Sequence, residues 1–391
     1  MVVLLAIFYT KFLFSLPVPV RVGLLLAGFL YLSGALGLEA LGGSYATQHG
    51  QEDLLYQYYV TGEELLEFSG LLLHTLLTQL RNALQRSRYI PLGRNETQGN
   101  NQLSNVIYYR MNNLRTISQI VDPQFVMEGA GVKLRRSIAP KVSNEYDPFL
   151  LFDHFAFNDP LEGPIRGFPT HPHRGIETVT YMLEGATAHR DSLGNAGVIG
   201  PGDVQWMSAG RGILHEEMPR RGESGAIYGF QLWVNLPSHL KMSEPRYQEV
   251  NASTIPTYEK DGVKVRIVAG TVDGVTGPVT DIAASPLYMD VELAPDKEWS
   301  HPTPTGHTVI TYVFEGEGVF SGETVESVKM LKFSDGDHNT VKTENSPVRF
   351  MLIAGAPFQE PIVPYGPFVM NTIEEIQQTL RDLRNGTFIK Q

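Results

Sequence analysis

Hydrophobic and polar positions divide the chain into two unlike parts. Residues 2–9, 12–20 and 22–38 are apolar runs interrupted by Lys11 and Arg21, and the last of them carries no charge. A bilayer span needs about 20 apolar residues, which extension of that last run through Glu39 to Tyr45 supplies. Gly28, Gly34 and Gly37 fit the close approach of membrane helices. A second apolar run over residues 54–80 holds Glu63, Glu64 and Glu67, which must then face a partner helix or a cavity. Arg81, Arg86, Arg88 and Arg94 follow at once, so the positive-inside rule puts what comes next in the cytoplasm. The pattern predicts an α-helical, membrane-spanning segment over residues 1–88. A processed leader and a set of soluble core helices are the competing readings.

Residues 89–112 turn to Asn, Gln, Arg and Gly, a composition that buries no core and reads as a linker. Beyond Arg115 the pattern becomes short β-like runs, at residues 178–183, 228–234, 263–270 and 308–314, each followed by turn residues. Many short strands with such punctuation predict a β-sandwich or jelly roll. Residues 178–185 (TVTYMLEG) and 310–316 (ITYVFEG) end alike, which suggests an internal duplication. Residues 113–250 and 251–391 are therefore assigned to two β-barrels. A terminal helix is predicted from Ile373, Ile376, Leu380 and Leu383, with Asn371 as its cap and Glu374 three residues on.

Composition narrows the chemistry. The chain has 391 residues, room for two or three domains, and a net charge of -11, which argues against an ordinary basic nucleic-acid surface. The first 110 residues are charge-balanced, so the acidic excess lies in the remainder. There is no cysteine, which excludes disulfides, thiolate zinc sites, iron–sulfur clusters and cysteine nucleophiles. Any metal must be held by His, Asp or Glu.

Two doublets answer that requirement: His171-Pro172-His173 and His215-Glu216-Glu217. Residues two apart on a strand share a face. If the two segments are neighbours, three imidazoles and one carboxylate converge. That set suits a divalent first-row metal, and with open positions it suits Fe(II) best. Gly200-Pro201-Gly202-Asp203 reads as a tight turn, and Trp206 and Met207 as barrel core. Arg211, between two glycines, is either an anion contact near the site or a solvated side chain. His154 and His189 could line a pocket, but surface positions are the simpler reading.

The run from Asp147 to Asp153 (DPFLLFD), the run from Gly167 to Gly175 (GFPTHPHRG) and the run from Gly202 to Pro219 (GDVQWMSAGRGILHEEMP) together resemble the pirins. The runs from Gln231 to Pro237 (QLWVNLP) and from Gly366 to Thr372 (GPFVMNT) do so as well. The likeness covers roughly residues 113–391, leaving the hydrophobic N-terminal extension outside it. It implies two tandem cupin barrels, the first with one iron held by His171, His173, His215 and Glu217. It also makes Glu177, four residues after His173, a supporting or structural carboxylate rather than a ligand. His301, His307 and His338 do not repeat the ligand pattern, so the second barrel is read as metal-free.

Some pirins oxidise quercetin with O₂, others act as regulatory partners. The expected function is an Fe(II)-dependent dioxygenase on flavonol-like substrates, with Glu217 as ligand and catalytic base. The alternative is an iron-dependent redox sensor or co-regulator that binds a protein partner. Either would be cytoplasmic, tethered by the N-terminal helices or, without them, soluble.

Overall fold

A computed structural model describes residues 114–390, apart from 159, 160, 162, 164 and 165. Its first half comprises twelve strands: β1 (Ile117–Val121), β2 (Gln124–Glu128), β3 (Val132–Ile138), β4 (Phe149–Phe155), β5 (Phe168–His173) and β6 (Ile176–Glu184). These are followed by β7 (Ala186–Asp191), β8 (Ala196–Ile199), β9 (Val204–Ser208), β10 (Ile213–Arg220), β11 (Tyr228–Asn235) and β12 (Arg246–Val250). Eleven of them make the first barrel. A seven-stranded sheet in the order β12-β9-β6-β11-β4-β3-β2 faces a four-stranded sheet in the order β5-β10-β7-β8. The second barrel is built on a ten-stranded sheet whose centre is Thr308–Phe320, flanked by Lys329–Phe333 and Val348–Gly355. Every ladder between these strands is antiparallel, as closed jelly-roll sheets require.

Strands β4, β6 and β11 are buried on both faces, which explains the mainly apolar sequences of β4 and β11, while β6 buries Glu177, Thr178 and Thr180 among its apolar residues. Alternation assigns the two faces different tasks. Phe152, Phe230, Leu232 and Val234 share a core with Tyr312, Phe314, Met351 and Ile353 of the second barrel. Phe152 and Tyr312 meet at 5.0 Å between ring centroids, as do Phe230 and Phe314. The opposite face carries Leu151, Asp153, Gln231 and Trp233, which line a cavity inside the first barrel.

The two ends of the described segment are exchanged between barrels. Strand β1 pairs with Lys329–Phe333 of the second barrel, and buried Arg115 donates to Thr303 Oγ1 and the Pro304 carbonyl, each at 2.7 Å. The C-terminal segment returns to the first barrel, where Phe368 bridges to Arg174 and Phe368, Met370, Ile376 and Phe388 pack together against Leu214. It includes helix α1 (Ile373–Arg384). The cap of that helix is Thr372, not Asn371: Thr372 Oγ1 accepts from Glu375 N, and the Glu375 carboxylate accepts from Thr372 N. The expected box is therefore displaced by one residue, and the Asn371 amide instead donates to the Pro361 carbonyl.

The expected fold class is corrected in one respect. It included a helical, membrane-spanning N-terminal segment. Among the described residues α1 is the one α-helix, and no helix is long and apolar enough to cross a membrane. The fold that the structure supports is thus mainly β, two barrels and a short C-terminal helix. The N-terminal segment of residues 1–88 and the linker of residues 89–112 lie outside the described residues.

Candidate metal centre

The two doublets do meet. Strand β5 runs antiparallel to β10 with His171 opposite His215, and a register irregularity lies between His215 and Glu217. His171 and His173 project from one face of β5, and His215 and Glu217 are both buried on one face of β10. The result is a cluster of three imidazoles. His171 Nε2 lies 3.0 Å from His173 Nε2 and 3.0 Å from His215 Nε2. Glu217 stands at its edge, with Oε2 4.0 Å from His215 Nε2.

The tautomers follow from the backbone. His171 Nδ1 donates to the Pro169 carbonyl at 3.0 Å, and His173 Nδ1 donates to the Pro367 carbonyl at 3.3 Å. A carbonyl only accepts, so each Nδ1 carries a hydrogen, and in the neutral ring each Nε2 presents a lone pair. Two lone pairs facing each other at 3.0 Å repel unless a cation lies between them. Two nitrogens at right angles about 2.1 Å from a divalent ion are about 3.0 Å apart. The donor set therefore fits a metal. Burial, then the neighbouring His215 and His171, holds His173 well below the ordinary histidine range despite the Pro367 carbonyl. Burial likewise brings His215 down to about 4, against the pull of Glu217. Both effects keep the imidazoles neutral, which is the ligating form.

Glu217 is supported from the sheet behind it. Thr180 Oγ1 donates to Oε1 at 3.3 Å, and Gln231 Nε2 lies 3.3 Å from both carboxylate oxygens. These are long contacts, so the carboxylate is restrained rather than locked. The cluster opens on a cavity of about 510 Å³, within the range of small-molecule sites. Trp233 meets His173 edge-on at 5.1 Å. Elsewhere in the cavity wall Arg136 forms a two-pronged pair with Asp153, the cross-strand neighbour of Gln231, at 2.8 and 2.7 Å and also binds Glu128 at 2.7 Å. Burial pushes the Asp153 carboxyl up to about 6 while Arg136 opposes the shift.

Residues outside the cluster have other partners. Glu177 is buried and accepts from Trp206 Nε1 at 3.0 Å and from Ser208 Oγ, so it ties strands β6 and β9 together. Trp206 and Met207 are core residues. Gly200 N donates to Asp203 Oδ2 at 2.8 Å, closing the expected turn. Arg211 pairs with Glu244 and donates to the Lys390 carbonyl at 3.0 Å, so it anchors the tail of the chain and not an anion at the site. His154 and His189 are not surface residues: both are buried, His154 against Tyr312 OH at 2.9 Å and His189 against Gln205 at 2.8 Å. In the second barrel His301 stacks on Trp299 at 5.1 Å, and His338 pairs with Asp337 at 2.7 Å. His307 Nδ1 is buried without a hydrogen-bond partner.

Sequence reasoning missed the cavity wall. Asp153 and Gln231 carried a signal, since each is a polar residue inside an otherwise apolar strand. The Pro367 carbonyl carried none, because backbone oxygens have no residue type.

Comparison with known proteins agrees with the architecture. Residues 131–234 match the Pirin family model, residues 288–389 match the Pirin C-terminal cupin domain, and residues 1–80 match a separate domain of unknown function. The chain is 42% identical over 278 residues to a pirin-like protein of Caulobacter vibrioides, an alignment covering 70% of this chain and 99% of that one. It is 46% identical over 268 residues to human pirin, covering 66% and 89% respectively. Among solved structures it is similar to a quercetin 2,3-dioxygenase from Acinetobacter baumannii. There the identity is 34% and the TM-score 0.64, with 70% of this chain and 98% of that one covered.

Proposed function

The chain belongs to the pirin family, and from that premise we propose that it is a metal-dependent dioxygenase acting on a flavonol-like substrate, with His171, His173, His215 and Glu217 as ligands and Fe(II) as the metal. The observation that carries this reading is the convergence of three imidazoles beside a carboxylate, in the wall of a cavity large enough for a polyphenol. The similar solved structure named as a quercetin 2,3-dioxygenase supports the substrate class. When bound, the metal would act as a Lewis acid toward the substrate's oxygens and supply redox chemistry with O₂.

The remaining roles belong to side chains. Glu217 is the catalytic residue: restrained only by long contacts to Thr180 and Gln231, its Oε2 is free to accept a phenolic proton. Trp233, Leu151 and Phe168 give apolar walls against which an aromatic ring system excludes water. The Arg136–Asp153 pair gives the cavity wall a rigid polar contact.

Anaerobic loading with Fe(II), followed by quercetin and O₂, tests the proposal. Release of carbon monoxide and loss of flavonol absorbance above the free-iron background are expected. Turnover no faster than free iron would overturn the dioxygenase reading.

A further inference from the structure

The first barrel does not complete its own metal cluster. His173 Nδ1 finds its acceptor on Pro367, which lies beyond the whole second barrel in sequence, and Pro364, Gly366 and Pro367 also wall the cavity. The segment carrying Pro367 runs parallel to the ligand strand's exit. Arg174 bridges to Phe368, and Val369 N donates to the Arg174 carbonyl at 3.2 Å. His173 therefore lies alongside Pro367, and Gly175 alongside Val369.

One buried ammonium closes this junction. Lys241 is 1% exposed, and its Nζ donates to the Gly175 carbonyl at 2.9 Å, the Val369 carbonyl at 2.7 Å and Asn235 Oδ1 at 2.8 Å. Gly175 lies two residues after His173, and Val369 two residues after Pro367. A single cation thus ties together the two backbones whose spacing sets the hydrogen bond from His173 to Pro367. The approach is close: Gly175 has φ +79°, and a Cβ there would sit 2.2 Å from the Val369 oxygen.

We infer that Lys241 is a positioning residue of the metal centre, acting through the C-terminal segment to hold the Pro367 carbonyl against His173 Nδ1. Fixing that hydrogen sets the imidazole's tautomer and ring orientation and so aims Nε2 at the cluster. Partners of this kind are worth about 10- to 100-fold in metal affinity. Lys241 touches neither a ligand nor the cavity, and its three bonds all go to other acceptors. The inference rests on the ligand assignment proposed above.

Titration of the full chain with Co(II), read as affinity and as the ligand-field absorption of the bound ion, tests it. Wild type should bind and His171→Ala should not; equal binding by the two, or none by wild type, refutes the metal site itself. With that control in place, Lys241→Met is expected to bind about 10- to 100-fold more weakly with a shifted absorption band. Gly175→Ala spreads the same junction from the other side and should give the same loss, which keeps the test informative if Lys241→Met does not fold. Trp299→Ala removes a side chain packed on the second barrel's own core, which contains none of the junction residues. It should bind Co(II) as wild type does. Wild-type affinity and spectrum in folded Lys241→Met or Gly175→Ala, or an equal loss in Trp299→Ala, would overturn the inference.

Discussion

Acid should expose His154 as a stability liability, and its replacement by phenylalanine should reverse sign with pH. His154 sits between the barrels among the rings of Phe157, Tyr228, Phe230 and Tyr312, all within 5.3 Å between centroids. It makes one hydrogen bond, to Tyr312 OH, and its buried Nε2 has no partner. Burial, helped by Arg135 nearby, brings its pKa down to about 3. The unfolded chain takes up the proton near pH 6.5 while the folded chain refuses it until about pH 3. Below pH 6.5 the unfolded state therefore binds more protons, and stability falls with acid by about 1.4 kcal/mol per pH unit. At pH 4.5 this one residue costs about 3 kcal/mol. His154→Phe cannot titrate, but it leaves the buried Tyr312 hydroxyl unpaired, a loss of about 1–2 kcal/mol at neutral pH. The two effects cancel about one unit below pH 6.5. Urea unfolding of both proteins from pH 7.5 to 4.5, with chelator present to remove any metal contribution, should show wild type more stable at pH 7.5. The curves should cross near pH 5.5, and the variant should be ahead at pH 4.5. A constant offset across the series would refute the reasoning.

Chelator should lower the melting temperature of metal-loaded wild type, since a ligand at 100 times its dissociation constant stabilises by about 2.7 kcal/mol. His215→Ala should abolish the difference in a thermal scan. Trp206→Phe removes the indole donor to Glu177 and should cost about 1–3 kcal/mol in urea unfolding. Elemental analysis of that variant should show its metal content unchanged, because Glu177 bonds to Trp206 and Ser208 and not to the histidine cluster. Asp153→Asn weakens the two-pronged pair with Arg136 in the cavity wall and should raise KM for a flavonol more than it lowers kcat, since neither residue belongs to the histidine cluster.

The legible parts of this protein were those encoded by residue type and spacing. His171-x-His173 and His215-x-Glu217 announce a shared face, and antiparallel pairing of their strands is the simplest way to bring them together. The helix cap was displaced because Asn371 and Thr372 are both competent caps, and Glu374 and Glu375 both competent partners. His154 and His189 were misplaced for a related reason. A histidine in a short β run is read by default as facing water, but here the second barrel covers His154 on the outer face of β4, while Gln205 and Tyr247 of the first barrel cover His189. The exchange of the described segment's ends had no local signature, because strand β1 and helix α1 would have the same sequence pattern whichever barrel they joined.

That exchange bears directly on the chemistry. A barrel whose strands are buried on both sides can devote one face to association and the other to a cavity, and β4 and β11 do so residue by residue. The cost is that the sheets alone leave His173 Nδ1 without an acceptor. The last segment of the chain supplies it, held down by Lys241 at the backbone and by Arg174 at Asp382, 2.7 Å away. The segment that closes the cluster follows the last strands of the second barrel in the chain, so the cluster is complete only when the two barrels are joined as they are here. Metal affinity thereby reports on the whole two-barrel unit, and an isolated first barrel, even if folded, would hold a less oriented histidine.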